Sequence, residues 1–154
     1  MNVDFSAANL VLFFTWFVAF LFSLTLHEAG HAWAAYKLGD PTAYHGGQVT
    51  LNPLPHIQRE PIGMVLIPSI TFFLNGWMMG WASAPYDPLW AIRHSRRAAV
   101  MALAGPAANL LIAIGAGLVM RGGLATGFFR PPAVLSFEQV VAGGAGVGGG
   151  LATL

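Results

Sequence analysis

The chain has 154 residues, of which 56% are hydrophobic and only 8% charged, with a formal net charge of +1 and no cysteine. Ordinary globular domains are about a quarter charged, so too few charges remain here to cover a water-facing surface, and the composition places the chain among membrane proteins. The near-neutral balance offers no basic field for nucleic acid. The lack of cysteine removes disulfides, thiolate metal sites and thiol nucleophiles, so any metal must be held by His, Asp or Glu.

The first apolar segment covers residues 10–26 and continues as helix-compatible sequence to Leu38, where Gly39 can supply a left-handed cap and Asp40-Pro41 a stop. Asp4 is the one charge before it and no basic residue precedes Lys37. A signal peptide needs a positive stretch there, so the segment reads as a retained transmembrane helix. A polar connection follows at residues 40–60. Within it, Gln48-Val49-Thr50-Leu51 alternates polar and apolar side chains and predicts a short strand-like insertion.

The second apolar segment, residues 61–82, is broken by Pro68, Asn75, Gly76 and Gly80. The third, residues 98–120, follows the basic cluster at 93–97 and sets Gly105, Asn109, Ala113 and Gly117 four apart on one helical face. Small residues at that spacing let helices approach closely in lipid. Beyond Arg130 the chain turns glycine-rich, and the run at 143–150 reads as the start of another membrane segment. Lys37 marks the cytoplasmic end of the first helix and places the N-terminus outside. A full crossing by residues 61–82 would then put three arginines of the 93–97 cluster outside, against the usual bias. The proline and glycine breaks therefore predict a re-entrant hairpin, which needs protein or a wet cavity around its irregular backbone.

Chemistry concentrates at His27-Glu28-Ala29-Gly30-His31, an H-E-x-x-H pattern. Helical residues four apart lie one above the other, so both imidazoles can bind one zinc ion, with Glu28 beside them as general base. Ionisable groups inside an apolar segment are costly and point to function. The plainer reading, side chains snorkelling at a helix end, has to meet that cost. Seventeen residues separate Leu10 from His27, about 26 Å of helix at 1.5 Å per residue, which puts the metal within the membrane boundary near the Lys37 side.

Five motifs carry a resemblance: HEAGH at 27–31, LGDPTA at 38–43, LNPLPHI at 51–57, GWASAP at 80–85 and ALAGPAANL at 102–110. In this order they resemble the site-2 protease family of intramembrane zinc metalloproteases, in its short prokaryotic branch. The resemblance implies regulated intramembrane proteolysis of transmembrane protein substrates in a prokaryotic plasma membrane, with Zn2+ on His27 and His31 and Glu28 as catalytic base. Asn52, His56 and Asn109 are candidates to line the site. Two departures stand out. Similar members read His-Ile-Asp-Pro where this chain has His56-Ile57-Gln58-Arg59-Glu60-Pro61. The family's third zinc ligand is an aspartate in a later Leu-Asp-Gly motif, which does not occur here, so the chain is expected to be a fragment.

The expectation is thus one all-α polytopic membrane domain over residues 1–154, incomplete at its C-terminal end. It would have about three to four membrane segments and a short strand-like insertion after the HEAGH helix. Its partners would be membrane lipid and transmembrane substrates, not nucleic acid. Two rivals stay open. A non-catalytic membrane scaffold of the same fold would explain the missing aspartate, although the intact His27, Glu28 and His31 set speaks against it. A membrane zinc carrier would place ionisable residues on several helices, and the second and third segments offer essentially none. Asp40 and Asp87, each beside a proline, are read as turn residues.

Overall fold

The computed structural model describes residues 5–133 and 142–143, in two compact units, Met1–Leu110 and Leu111–Leu154. Helix α1 runs over Ala7–Leu38. Ser6 starts it, its hydroxyl accepting from the Asn9 N–H at 3.3 Å. Gly39 ends it at φ 102°, a left-handed conformation that costs glycine little. At 32 residues, or about 48 Å, α1 exceeds a hydrocarbon core of about 30 Å. Val11, Phe14, Val18 and Phe22, three or four apart, leave one apolar face exposed. On another face Phe13 meets Phe72 and Phe73 at ring separations of 5.4 and 5.0 Å.

The polar connection is where sequence and structure differ. It forms two short helices, α2 (Thr42–His45) and α3 (Pro53–Arg59), and residues 48–51 form bends with no strand. Alternation makes a strand only where a partner strand supplies a ladder. Here the polar groups are taken locally instead. Gln48 Nε2 donates to the Pro55 carbonyl at 3.0 Å, His56 Nε2 donates to the Thr50 carbonyl at 3.0 Å, and Asn52 Oδ1 accepts from Leu54 N at 3.0 Å to cap α3. The described strands lie elsewhere, in the second unit, where β1 (Phe129–Arg130) pairs antiparallel with β2 (Ala142–Gly143).

The second apolar segment folds back on itself. A wide π-helical turn, Ile62–Leu66, leads into α4 (Ile67–Asn75), which stops at Gly76 with φ 77°. The chain then returns beside the same helix: Met79 N donates to Thr71 Oγ1 at 2.9 Å and Trp81 N to the Gly63 carbonyl at 3.1 Å. Helix α5 (Pro88–Arg93) and the long helix α6 (Ser95–Ala125) complete the order. Among the described residues only α1 and α6 are long and apolar enough to cross a membrane, which is fewer than the three to four segments expected. The stretch Ile62–Asn75 is too short for that role, and the glycine-rich segment from residue 144 onward lies outside the described residues.

Asp40 ties these pieces together. Its buried carboxylate accepts from the Thr42 N–H at 2.9 Å and hydroxyl at 2.5 Å, and from the Asp87 N–H at 2.8 Å. It is the turn residue the sequence suggested, and it also reaches across 47 positions to anchor the returning segment. Burial alone would raise its pKa, but the Thr42 and Asp87 hydrogen bonds outweigh burial and hold the carboxyl below its ordinary value. A depressed carboxylate contributes stability that is complete above the ordinary carboxylate range and is lost as pH falls through the folded value. Replacing Asp40 by Ala should therefore cost about 2–3 kcal/mol, read as a lower thermal unfolding midpoint in detergent at pH 7. Asp40→Asn should be less stable than wild type at pH 7 and should lose less on acidification to pH 3. Equal midpoints at pH 7 would refute the anchoring role.

Candidate metal centre

Residues 27–31 lie about two turns before the end of α1, so regular helix fixes the spacing of both imidazoles. The rings stand 4.7 Å apart, centroid to centroid. One ligand atom from each of His27, Glu28 and His31 lies within 4.8 Å of the others, and this is the one such cluster among the described residues. Glu28 is buried, while both imidazoles are half-buried. An ionisable trio in an apolar helix needs partners, and most of them come from outside α1.

Helix α6 supplies two. His31 Nδ1 donates to the Met101 carbonyl at 2.7 Å. A carbonyl can only accept, so the ring proton sits on Nδ1 and the Nε2 lone pair is free. Asn109 Nδ2 lies 3.1 Å from His27 Nδ1, and Asn109 Oδ1 accepts from the Ser23 hydroxyl at 3.3 Å. Between them stands Gly105. A methyl group there would overlap His31 Nε2 and lie 2.6 Å from His27 Nε2, so only the absence of a side chain leaves room for the rings. The small-residue stripe expected on α6 is thus two things. Gly105 and Asn109 meet the histidines, whereas Ala113 and Gly117 are exposed.

The returning segment covers the third side. The Ala84 N–H faces the Glu28 carboxylate, and residues 82–86 border a cavity of about 460 Å³ shared with His27, Glu28, His31 and Met101. Two hydrogen bonds hold this segment against the α3 end: Ser83 Oγ donates to Glu60 Oε1 at 2.6 Å and Arg59 Nε donates to the Ser83 carbonyl at 3.1 Å. Arg59 and Glu60 belong to the stretch where the sequence departs from the family pattern, and here they have a definite use.

The other candidates fall differently. Asn52 is exposed, caps α3 and does not border the cavity. His56 is buried with Nε2 on the Thr50 carbonyl, and it too stays off the cavity wall. Asn109 touches His27 directly. Among the basic cluster, Arg97 donates to the Leu38 carbonyl at 3.2 Å, closing the end of α1, and Arg93 pairs loosely with Asp87 at 3.9 Å. Gly105, Ser23, the Met101 carbonyl and Ala84 were not singled out as site residues by sequence. The signals for Gly105 were its place in the small-residue stripe and in the ALAGPAANL motif.

The donor set fits a divalent ion of zinc type. Two imidazoles with their outer nitrogens engaged and their inner nitrogens converging is the arrangement such ions take.

No family model matches the chain, and no solved structure matches it. Among curated proteins it is 35% identical over 97 residues to "Putative zinc metalloprotease YwhC" of Bacillus subtilis (strain 168), covering 62% of this chain and 40% of that one. It is 34% identical over 130 residues to "Putative zinc metalloprotease Rip2" of Mycolicibacterium smegmatis, covering 79% and 47%. It is also 36% identical over 94 residues to the protein of the same name in Mycobacterium tuberculosis (strain ATCC 25618 / H37Rv), covering 61% and 35%. The chain spans less than half the length of these relatives.

The packing at Gly105 can be tested directly. Gly105→Ala should weaken metal binding by about tenfold or more, since it displaces both rings, measured by competition with a chromophoric chelator. Gly117→Ala, whose added methyl meets nothing within 4 Å, should bind as wild type does. Equal affinity in the two variants would refute the assignment.

Proposed function

We propose that this chain belongs to the site-2 protease family of zinc metalloproteases, a reading supported by its likeness to the zinc metalloprotease relatives, and that it carries the zinc-binding and proton-transfer part of a protease that hydrolyses peptide bonds of membrane-spanning substrates. The observation that carries the reading is the convergence of His27, Glu28 and His31 on one cavity wall, inside a helix long and apolar enough to cross a membrane. The relatives' names supply the metal and the reaction class.

In this reading His27 and His31 would hold zinc, which would supply Lewis acidity toward water and the scissile carbonyl. Glu28 takes a proton from the attacking water on a carboxylate oxygen and passes it to the departing amine nitrogen. The Ala84 N–H orients that carboxylate, and the segment 82–86 closes the cavity over it. Two imidazoles leave coordination positions for a further protein ligand. The resemblance implies an aspartate there, in a Leu-Asp-Gly motif that residues 1–154 do not contain.

The same elements support a membrane placement. α1 and α6 cross, with their exposed apolar faces toward lipid, while the folded-back segment 61–82 enters and leaves on the Lys37 side. The hairpin form of that segment, Trp81 beside Gly63, supports this placement, since its irregular backbone finds protein partners. The scaffold alternative has less in its favour. A relic has no need to keep Glu28 on a cavity wall beside two oriented imidazoles.

Two measurements test the proposal. Glu28→Gln keeps the shape but cannot accept the water proton, so zinc content should stay at wild-type level while cleavage of a model transmembrane substrate falls by about 100-fold or more. Cleavage at the wild-type rate would remove Glu28 from the mechanism. For topology, the cysteine-free chain allows single cysteines at the exposed positions His45 and Ser95. Both should resist an impermeant thiol reagent in intact cells and react after permeabilisation. Labelling of Ser95→Cys in intact cells would mean that residues 61–82 cross the membrane.

A further inference from the structure

We propose that Asn109 is a positioning residue that selects the metal-ligating tautomer of His27, with Ser23 holding its carboxamide in place; this rests on the zinc reading given above. The two histidines are not treated alike by α6. His31 faces a backbone carbonyl, and its Nδ1 proton is therefore dictated by an acceptor that no side-chain change can alter. His27 faces a side-chain amide, which in this structure turns Nδ2 to the ring and Oδ1 to the Ser23 hydroxyl and which, turned over, presents an acceptor instead.

The two presentations have opposite consequences. With Nδ2 toward the ring, the amide donates to Nδ1, the imidazole proton moves to Nε2, and that nitrogen has no lone pair for a metal. With Oδ1 toward the ring, Nδ1 donates to the amide and the Nε2 lone pair points free beside Gly105. A half-turn of the carboxamide interconverts the two and exchanges its ends between the same two partners, His27 Nδ1 at 3.1 Å and Ser23 Oγ at 3.3 Å. In the ligating arrangement Nδ2 donates to Ser23, whose hydroxyl can accept while donating within its own helix. Partners of this kind on the outer nitrogen of a metal-bound histidine fix ring orientation and raise its basicity.

Position adds to the argument. Asn109 sits one turn beyond Gly105 on the same α6 face, so the helix that makes room for the rings also carries the group that orients one of them. A polar amide there has a cost in an apolar helix, and contact with the histidine gives that cost a purpose.

The test is zinc affinity of the full chain in detergent, read by competition with a chromophoric chelator. Asn109→Ala should weaken zinc about 10–100-fold. Asn109→Asp, which can only accept from Nδ1, should stay within about threefold of wild type or bind more tightly. A residue that merely filled space would show the reverse order, since Asp buries a charge and Ala does not. Wild-type affinity in Asn109→Ala, or a tenfold loss in Asn109→Asp, would overturn the proposal. Should Asn109→Ala fail to fold, the comparison of Asn109→Asp with wild type decides alone. If wild type itself takes up no zinc, the metal reading fails and this inference with it. If wild type binds zinc and Asn109→Ala binds it equally well, only this inference fails.

Discussion

Two imidazoles and a carboxylate set in an apolar helix must find polar partners, and this need shapes the Met1–Leu110 unit. Unsatisfied polar groups cost several kcal/mol each in hydrocarbon, so α1 cannot stand there without neighbours that supply acceptors and donors. Helix α6 meets the requirement with one backbone carbonyl at Met101 and one amide at Asn109. It approaches closely enough because Gly105 has no side chain. Cavity, ligand geometry and helix contact are thus one arrangement seen from three sides.

The returning segment 77–87 is the second consequence. It forms no sheet, yet it is held at five places: Thr71, Gly63, Glu60, Arg59 and Asp40 each bond it. Four of those partners lie in residues 59–71 or the helices around them, and the fifth, Asp40, lies just past the end of α1. An irregular stretch pinned in this way can present Ala84 to Glu28 and border the cavity without strand pairing. Arg59 and Glu60, in the stretch that departs from the family pattern, both bond Ser83.

Among the described residues a single cluster of His, Asp or Glu could hold a metal. Phe14 and Phe22 leave an apolar face of α1 exposed among the described residues, which suits a lipid surrounding.

Much of the site was legible in residue order alone. H-E-x-x-H spacing on a helix places both imidazoles on one side by geometry, and Gly39 before Asp40-Pro41 marks the helix end by φ preference and missing donors. The folding back of residues 61–82 was also readable, because proline and glycine breaks act locally. The strand expected at 48–51 failed for a physical reason: alternation describes a surface, and without a partner strand the polar groups of Gln48, Thr50 and Asn52 turned to local acceptors and donors. Gly105 and Asn109 stood in the sequence as members of a packing stripe. Only the approach of α6 to α1 separated the two that touch histidine from Ala113 and Gly117, which do not. Helical periodicity says which residues share a face. What that face meets depends on contacts between residues some eighty positions apart, and tertiary structure alone decides those.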